Sequence, residues 1–248
     1  MSSARLPGKS MLPVLGRPLL WYNLERIRAA RAIETVVVAT STDPGDDEIA
    51  QACEAWQVPI FRGSLDDVLD RNYRCAISFG WEVFAKFTAD NPLIDPAVID
   101  AVIAAFHQAP QALDFFSNNH PPTWQDGQEI EVLRTSALEQ AWREADRPHE
   151  REHVTPFLWD QPERFRVGNL SRPGEEWHER FRWTLDYPED FELIRKIFEA
   201  LYPRLGVFST ADIMALYERC PELYGVNCAH AGKNWYAGRA AEMRTVAP

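Results

Sequence analysis

The chain has 248 residues, 46% of them apolar, and a formal charge of −11 at neutral pH. That length supports one sizeable α/β domain with a proper core. The acidic balance argues against sequence-independent binding to nucleic acid, which needs a basic face, yet a free nucleotide needs only a few focused cations. The four cysteines, Cys53, Cys75, Cys220 and Cys228, show no C-x-x-C spacing, so they read as reduced thiols rather than a zinc ribbon or redox pair. No apolar run is long enough to span a bilayer and no signal-peptide pattern is present, so the sequence predicts a cytoplasmic protein without membrane contact.

In chain order, residues 1–9 combine small residues, two cations and a Pro-Gly turn before any helix or strand. Such a segment suits polyphosphate, because exposed backbone N–H groups and paired cations hold anions. Arg5 and Lys9 supply charge, while Ser2, Ser3 and Gly8 allow close backbone approach. The G-x-x-x-x-G-K-[ST] spacing is absent, so this is not a Walker loop. A frayed basic terminus is the alternative reading. Residues 18–31 carry Leu19, Leu20, Leu24 and Ile27 at helical spacing. Residues 35–40 form a continuous β-branched run that fits a strand buried on both faces. A helix over 46–56, a strand over 58–61, a helix over 66–79, a strand over 82–87 and a helix from Asp95 and Pro96 to 107 follow. This alternation predicts a mostly parallel sheet with helices on both faces.

The middle is less regular. Residues 114–117 and 129–133 read as strands separated by a turn-rich 118–127, with helices over 136–145 and 150–159. Strands over 165–170 and 182–185 and helices over 188–201 and 210–219 come next, and the tail after Cys220 has no clear period. No repeat or low-complexity linker interrupts the chain, so one domain over 1–248 is expected.

Four constellations could carry chemistry. Asp90 follows a predicted strand, where ligands of open α/β sheets collect, and one or two carboxylates with phosphate oxygens suit Mg²⁺. Asp95 is better placed than Asp90 to cap the next helix. Asp186 repeats the pattern at the end of 182–185, with capping of the helix at Pro188 as the alternative. Residues 62–71 offer Arg62, Gly63, Ser64 and Arg71 at another strand end, either to a base or as a helix start capped by Ser64. His149, Glu150 and His153 formally match H-E-x-x-H, but Pro148 and Pro156 bracket them and no third ligand follows, so a charged helix start is the plain reading and a sugar-facing polar patch the better one.

Seven strings in order, SSARLPGK, VVVATS, FRGSLDDVLDR, TADNPLIDP, EREHVTPF, QPERFRV and TLDYPEDFELI, closely resemble the cytidylyltransferases of surface-sugar biosynthesis. The nearest likeness is to the spore coat polysaccharide biosynthesis F-type proteins, relatives of CMP-Kdo and CMP-sialic acid synthetases. The resemblance implies a GT-A-type, Rossmann-like nucleotidyltransferase fold. It implies that a sugar hydroxyl attacks the α-phosphate of CTP and pyrophosphate leaves. Arg5 and Lys9 would neutralise the triphosphate, Asp90 and Asp186 would hold Mg²⁺, and Arg62 to Ser64 would lie near the cytosine. Asp126, Glu129, Glu131, Glu152 and His153 would line the sugar acceptor. It further implies a homodimer, with residues 111–180 serving acceptor binding and dimerisation.

The sequence departs from the family pattern in places. The family usually begins with an apolar strand followed by Gln-Ala-Arg, and Met1 here stands at an internal Met of that pattern. The fold is therefore expected to lack its first, central strand, as a start codon assigned too late would produce. Lys86 stands where Arg is frequent and Ala89 where Gly is frequent. A catalytically impaired binding relative, or an enzyme using another nucleotide, are the competing readings.

Overall fold

The computed structural model describes residues 5–174, 176–233 and 235–246. Gly8, at φ 68°, opens a 3₁₀ turn over Lys9–Met11. A short ribbon follows, β1 (Pro13–Val14) antiparallel to β2 (Arg17–Pro18). It delivers α1 (Leu19–Arg28), whose Leu20 and Leu24 pack on Ile49, Cys53 and Val58. Next come β3 (Val38–Ser41), α2 (Asp47–Ala55), β4 (Ile60–Gly63), α3 (Val68–Ser78) and β5 (Val83–Lys86). Then α4 (Pro96–Gln108), β6 (Phe115–Ser117), β7 (Glu131–Arg134) and α5 (Thr135–Glu144) complete the sheet core. The remainder is α6 (Pro148–His153), α7 (Pro156–Trp159), β8 (Val167–Asn169), α8 (Trp177–Arg180), α9 (Pro188–Leu205) and α10 (Thr210–Arg219).

The alternation of strand side chains builds two cores. Phe115 of β6 and Leu133 of β7 face α3 and α5, whereas Phe116 and Val132, one residue along, face α4 and Ile27 of α1. Helices thus cover both faces. A third core packs α9 and α10 around Trp183, Phe181 and Leu185.

The sheet is mixed rather than mostly parallel. It comes in two pieces, β3–β4 and β5–β7–β6–β8. β3 with β4 and β6 with β8 are parallel, but β7 runs antiparallel to both β5 and β6. The turn-rich segment between β6 and β7 folds the chain straight back, and a direct return of this kind gives an antiparallel pair. Between β3 and β5 lies a cavity of about 610 Å³.

Two expected elements change. The helix expected over 150–159 is two, α6 and α7, because Pro156 has no N–H to continue it and Val154 adopts φ 75°. Residues 182–185 form no ladder strand, only a single bridge from Arg182 to Asp126. Their apolar pattern is still used, with Trp183 and Leu185 fully buried. The tail also takes a place: Leu223 joins the α9–α10 core, and Tyr236 and Met243 pack with α5 and α7.

Candidate active site

Beyond β5 the chain crosses the sheet end and enters α4. Asp95 does the capping, accepting from the Ala97 N–H at 2.9 Å and from the Thr210 N–H at 2.6 Å. Asp90 is therefore left out of the helix, as its position predicts. At α9 it is Asp190, inside the first turn, that reaches back to the helix start, accepting from the N–H groups of Asp186 (2.9 Å) and Tyr187 (3.0 Å). Asp186 is thereby freed from capping, and its own side chain turns toward the opening loop.

Lys9 joins the two aspartates. Its Nζ lies 2.7 Å from Asp90 Oδ2 and 2.9 Å from Asp186 Oδ1. Arg5 Nη2 reaches the same Asp186 oxygen at 3.0 Å. Residues far apart in sequence thus aim two carboxylates at one cationic point. Burial opposes the charge of Asp186, but Lys9 and Arg5 prevail and hold its carboxyl down at about 2. Burial likewise opposes the Lys9 ammonium, and the two aspartates raise its pKa nonetheless.

Behind this point sits Arg182, its side chain only 3% exposed. Its guanidinium donates to Asp126 Oδ2 (2.6 Å), Asp186 Oδ2 (3.0 Å) and Asp190 Oδ1 (3.0 Å). Asn227 Nδ2 donates to the Arg182 carbonyl and to Asp190, tying the tail to this network. One buried fork thus sets the orientation of Asp186 and leaves its other oxygen to the cavity. Sequence reasoning missed Arg182, because it was read as the start of a strand. The available signal was its spacing of four and eight residues from Asp186 and Asp190.

These groups border a cavity of about 730 Å³ that also receives Gly8, Asp126, Glu129, Glu131, Glu152 and His153. Burial, with the neighbouring Glu129 charge, raises Asp126 well above the usual carboxylate range. Burial also pushes Glu129 up to about 7, although the Gly127 N–H and Asn91 Nδ2 donate to it. Glu131 goes the other way despite burial, because Lys86 Nζ (2.5 Å) and Thr155 Oγ1 (2.5 Å) donate to it. His120, stacked on Trp159 at 4.1 Å, is held neutral by burial, its pKa lowered to about 4. Trp235 of the tail lies flat on His153 at 3.7 Å.

Other expected positions fall elsewhere. Ser2 and Ser3 lie outside the described residues. Arg62, Gly63, Ser64 and Arg71 form a separate cluster at the end of β4 and do not border this cavity. Arg62 donates to the carbonyls of Ser41 and Asp43, and Arg71 to that of Ser64. Ser64 does not cap α3; Asp67 does, accepting from the Asp70 N–H at 2.8 Å. In α6, Glu150 folds back to the Arg147 N–H and His149 is buried, so the H-E-x-x-H string is a helix start. Among the described residues, no group of three or more His, Cys, Asp and Glu side chains is arranged to hold a metal. The Asp90–Asp186 pair is a different kind of site. Lys9 Nζ stands where a cation is bound by one oxygen of each, and two carboxylates with the rest supplied by phosphate and water is what Mg²⁺ accepts.

A family model described as cytidylyltransferase matches residues 1–219. An uncharacterized protein of Methanocaldococcus jannaschii is 34% identical over 228 residues, covering 91% of this chain and 90% of that protein. The spore coat polysaccharide biosynthesis protein SpsF of Bacillus subtilis is 29% identical over 232 residues, 90% and 92% of the two chains. Among solved structures, a cytidylyltransferase from Leptospira borgpetersenii superposes with a TM-score of 0.83 at 28% identity, over 95% of each chain.

Proposed function

Because this chain belongs to the cytidylyltransferase family, a family of nucleotidyltransferases, we propose that it transfers CMP from CTP to a sugar hydroxyl, with release of pyrophosphate, in surface polysaccharide or glycan synthesis. Relatives support the sugar: SpsF is named for spore coat polysaccharide, and 3-deoxy-manno-octulosonate cytidylyltransferase of Geobacter sulfurreducens is 36% identical over 111 residues, 44% of this chain. The observation that carries the reading is the convergence of Asp90 and Asp186 on Lys9 at the mouth of the larger cavity.

In this reading the acceptor oxygen forms a bond to the α-phosphorus as the bond from that phosphorus to the α–β bridging oxygen breaks. Pyrophosphate leaves with the bond's electrons, and the hydroxyl proton is lost. Such a transfer needs charge neutralisation and in-line placement more than a covalent intermediate. Arg5 and Lys9 lie where they meet the triphosphate, and Lys9 exchanges its carboxylate partners for phosphate oxygens. Asp90 and Asp186 would hold Mg²⁺, which supplies Lewis-acid polarisation of phosphate oxygens. Arg182 keeps Asp186 turned to the cavity. Glu129, with a carboxyl near neutrality, has the proton affinity suited to accepting a hydroxyl proton at pH 7. Asp126, Glu131, Glu152 and His153, which border the cavity, would line the acceptor half. We place the protein in the cytoplasm, where CTP is available, and propose a homodimer of the 28.4 kDa chain, which sedimentation would test.

The test is Mg²⁺-dependent pyrophosphate release from each of the four nucleoside triphosphates, with panels of sugar acids and neutral sugars. CTP should be preferred at least ~10-fold. Asp90→Asn should lower the rate at least ~100-fold while the circular-dichroism spectrum is kept. Equal use of all four nucleotides, or an Asp90→Asn protein with full activity, would overturn the reading.

A further inference from the structure

The tail beyond α10 is fastened at both ends. At its near end, Asn227 Nδ2 donates to the Arg182 carbonyl (2.9 Å) and to Asp190 Oδ1 (2.8 Å). At its far end, Asp160 Oδ1 accepts from the N–H groups of Arg244 (2.7 Å) and Thr245 (2.8 Å). Two ring stacks hold the stretch between them: His230 lies parallel to Tyr187 at 3.9 Å, and Trp235 lies on His153 at 3.7 Å. Lys233 and Trp235 are thereby set on the border of the larger cavity, both still exposed. The match to the family model ends at residue 219, so neither belongs to the matched part of the chain. The other lysines and arginines around this cavity are committed. Lys9 lies between Asp90 and Asp186, Arg5 reaches Asp186, Arg182 holds Asp126, Asp186 and Asp190, and Lys86 holds Glu131. Among the described residues bordering the cavity, Lys233 is the one such cation with no carboxylate partner. Its Nζ meets His230 Nδ1 at 3.3 Å and, at 6.0 Å, the Tyr187 ring.

We propose that Lys233 and Trp235 are specificity-determining residues for the acceptor sugar. The Lys233 ammonium pairs with an anionic substituent of that sugar, a carboxylate or a phosphate ester, and the Trp235 indole takes the apolar C–H face of the ring beside it. The inference rests on the reading of this cavity as a site of nucleotidyl transfer. Arg5 and Lys9 are then occupied by the triphosphate, so a second anion needs a cation of its own. An ammonium at a cavity mouth gains most when a ligand excludes water around it, because the lower dielectric strengthens the pair. Trp235, with His153 against one face, is held in place and offers a rigid apolar surface at low entropy cost. The carboxyls on this side repel an anion less than their number suggests. Glu131 is answered by Lys86, burial turns Asp126 and Glu129 toward their neutral forms, and the Glu152 side chain is 62% exposed, where water and salt screen it. One tail segment therefore supplies both the charge and the surface that would sort acceptors.

The experiment measures binding to the full chain in the presence of Mg²⁺ and the α,β-methylene analogue of CTP, which cannot release pyrophosphate. The probes are 3-deoxy-manno-octulosonate, N-acetylneuraminate and glucuronate, each beside its neutral methyl ester, and mannose beside its phosphate ester. At least one anionic member should bind at least ~10-fold more tightly than its neutral counterpart. Lys233→Ala should remove that preference, Lys233→Glu should reverse it, and Lys233→Arg should restore most of it. Trp235→Ala should weaken the charged and neutral members alike by about 5-fold, and Trp235→Phe by less. Preference within the ester pairs assigns the anion to a carboxylate, and preference for the phosphate ester assigns it to a phosphate. If no anionic member is preferred, or if Lys233→Ala keeps the preference, the proposal is overturned. A loss of affinity for the CTP analogue in Lys233→Ala, in place of a loss of sugar preference, would put Lys233 on the triphosphate and overturn it as well. No turnover is needed, so failure here leaves the catalytic reading to the Asp90→Asn test, and failure of that test leaves this measurement standing.

Discussion

Two carboxylates of the site carry opposite pH signatures. Asp186 is depressed to about 2 by Lys9 and Arg5, so its contribution to stability is present above about 4 and lost as pH falls through about 2, below any working range. Glu129 is raised to about 7 by burial. Its contribution is fully present below about 4.5 and is lost as pH rises through about 7, because the buried carboxylate must then ionise. The ligand-free protein should therefore lose Tm between pH 5 and 7.5. Glu129→Gln, neutral throughout, should flatten that slope and stabilise the protein at pH 7.5 by about 1–3 kcal/mol. Thermal melts across this range check it, and an unchanged slope would assign the loss to other groups. At this scale the sequence was partly readable. Asp90 stood out because a better cap, Asp95, lies a few residues further on, whereas for Asp186 capping of the next helix stayed open until folding showed Asp190 accepting from the Asp186 and Tyr187 N–H groups. Arg182 did not, because its three partners are identified only by folding.

The elements were legible where hydrophobic period and punctuation agree. α4 announces itself through Asp95, Pro96 and its apolar stripe, and α10 through Ser209 and Asp212, which cap each other. Reading fails where tertiary pairing decides, as in residues 182–185, extended but without a ladder. The reason lies at Gly127, which holds φ 105° against this segment. A Cβ there would stand 2.6 Å from the Trp183 carbonyl carbon. The turn presses on this backbone because Asp126 is bonded to both sides of Arg182, its N–H donating to the Phe181 carbonyl at 3.0 Å and its carbonyl accepting from the Trp183 N–H at 2.6 Å. Gly127→Ala should cost about 2–4 kcal/mol, from the left-handed φ and the backbone overlap together. It should also weaken CTP turnover beyond what lost folding explains, because Asp126 and Arg182 would shift with the loop. Denaturant melts and initial rates at a temperature where both proteins are folded separate the two effects.

Across the whole molecule, stability should be distributed as the packing is. β6 and β7 lie between two cores and are paired on both sides, so their shared amides open only with the entire fold. β3 and β5 are held on one side each, whereas hydrophobic period alone reads Thr35 to Thr40 as a strand buried from both faces. Residues 36–39 and 83–86 are instead all half-buried. Ligand-free hydrogen exchange followed by mass spectrometry should therefore rank the amides of Phe116, Val132 and Leu133 slowest. The amides of Val37, Ala39, Val83 and Ala85, which alternate away from β4 and β7 toward the cavity between β3 and β5, should exchange at least ~1000-fold faster, by local motion rather than global unfolding. The contrast should persist in mild denaturant until the fast class merges with the global transition. Equal protection of both classes would mean that the two halves of the sheet open together, and that the cores on either side of β6 and β7 extend their cooperativity across the cavity between β3 and β5.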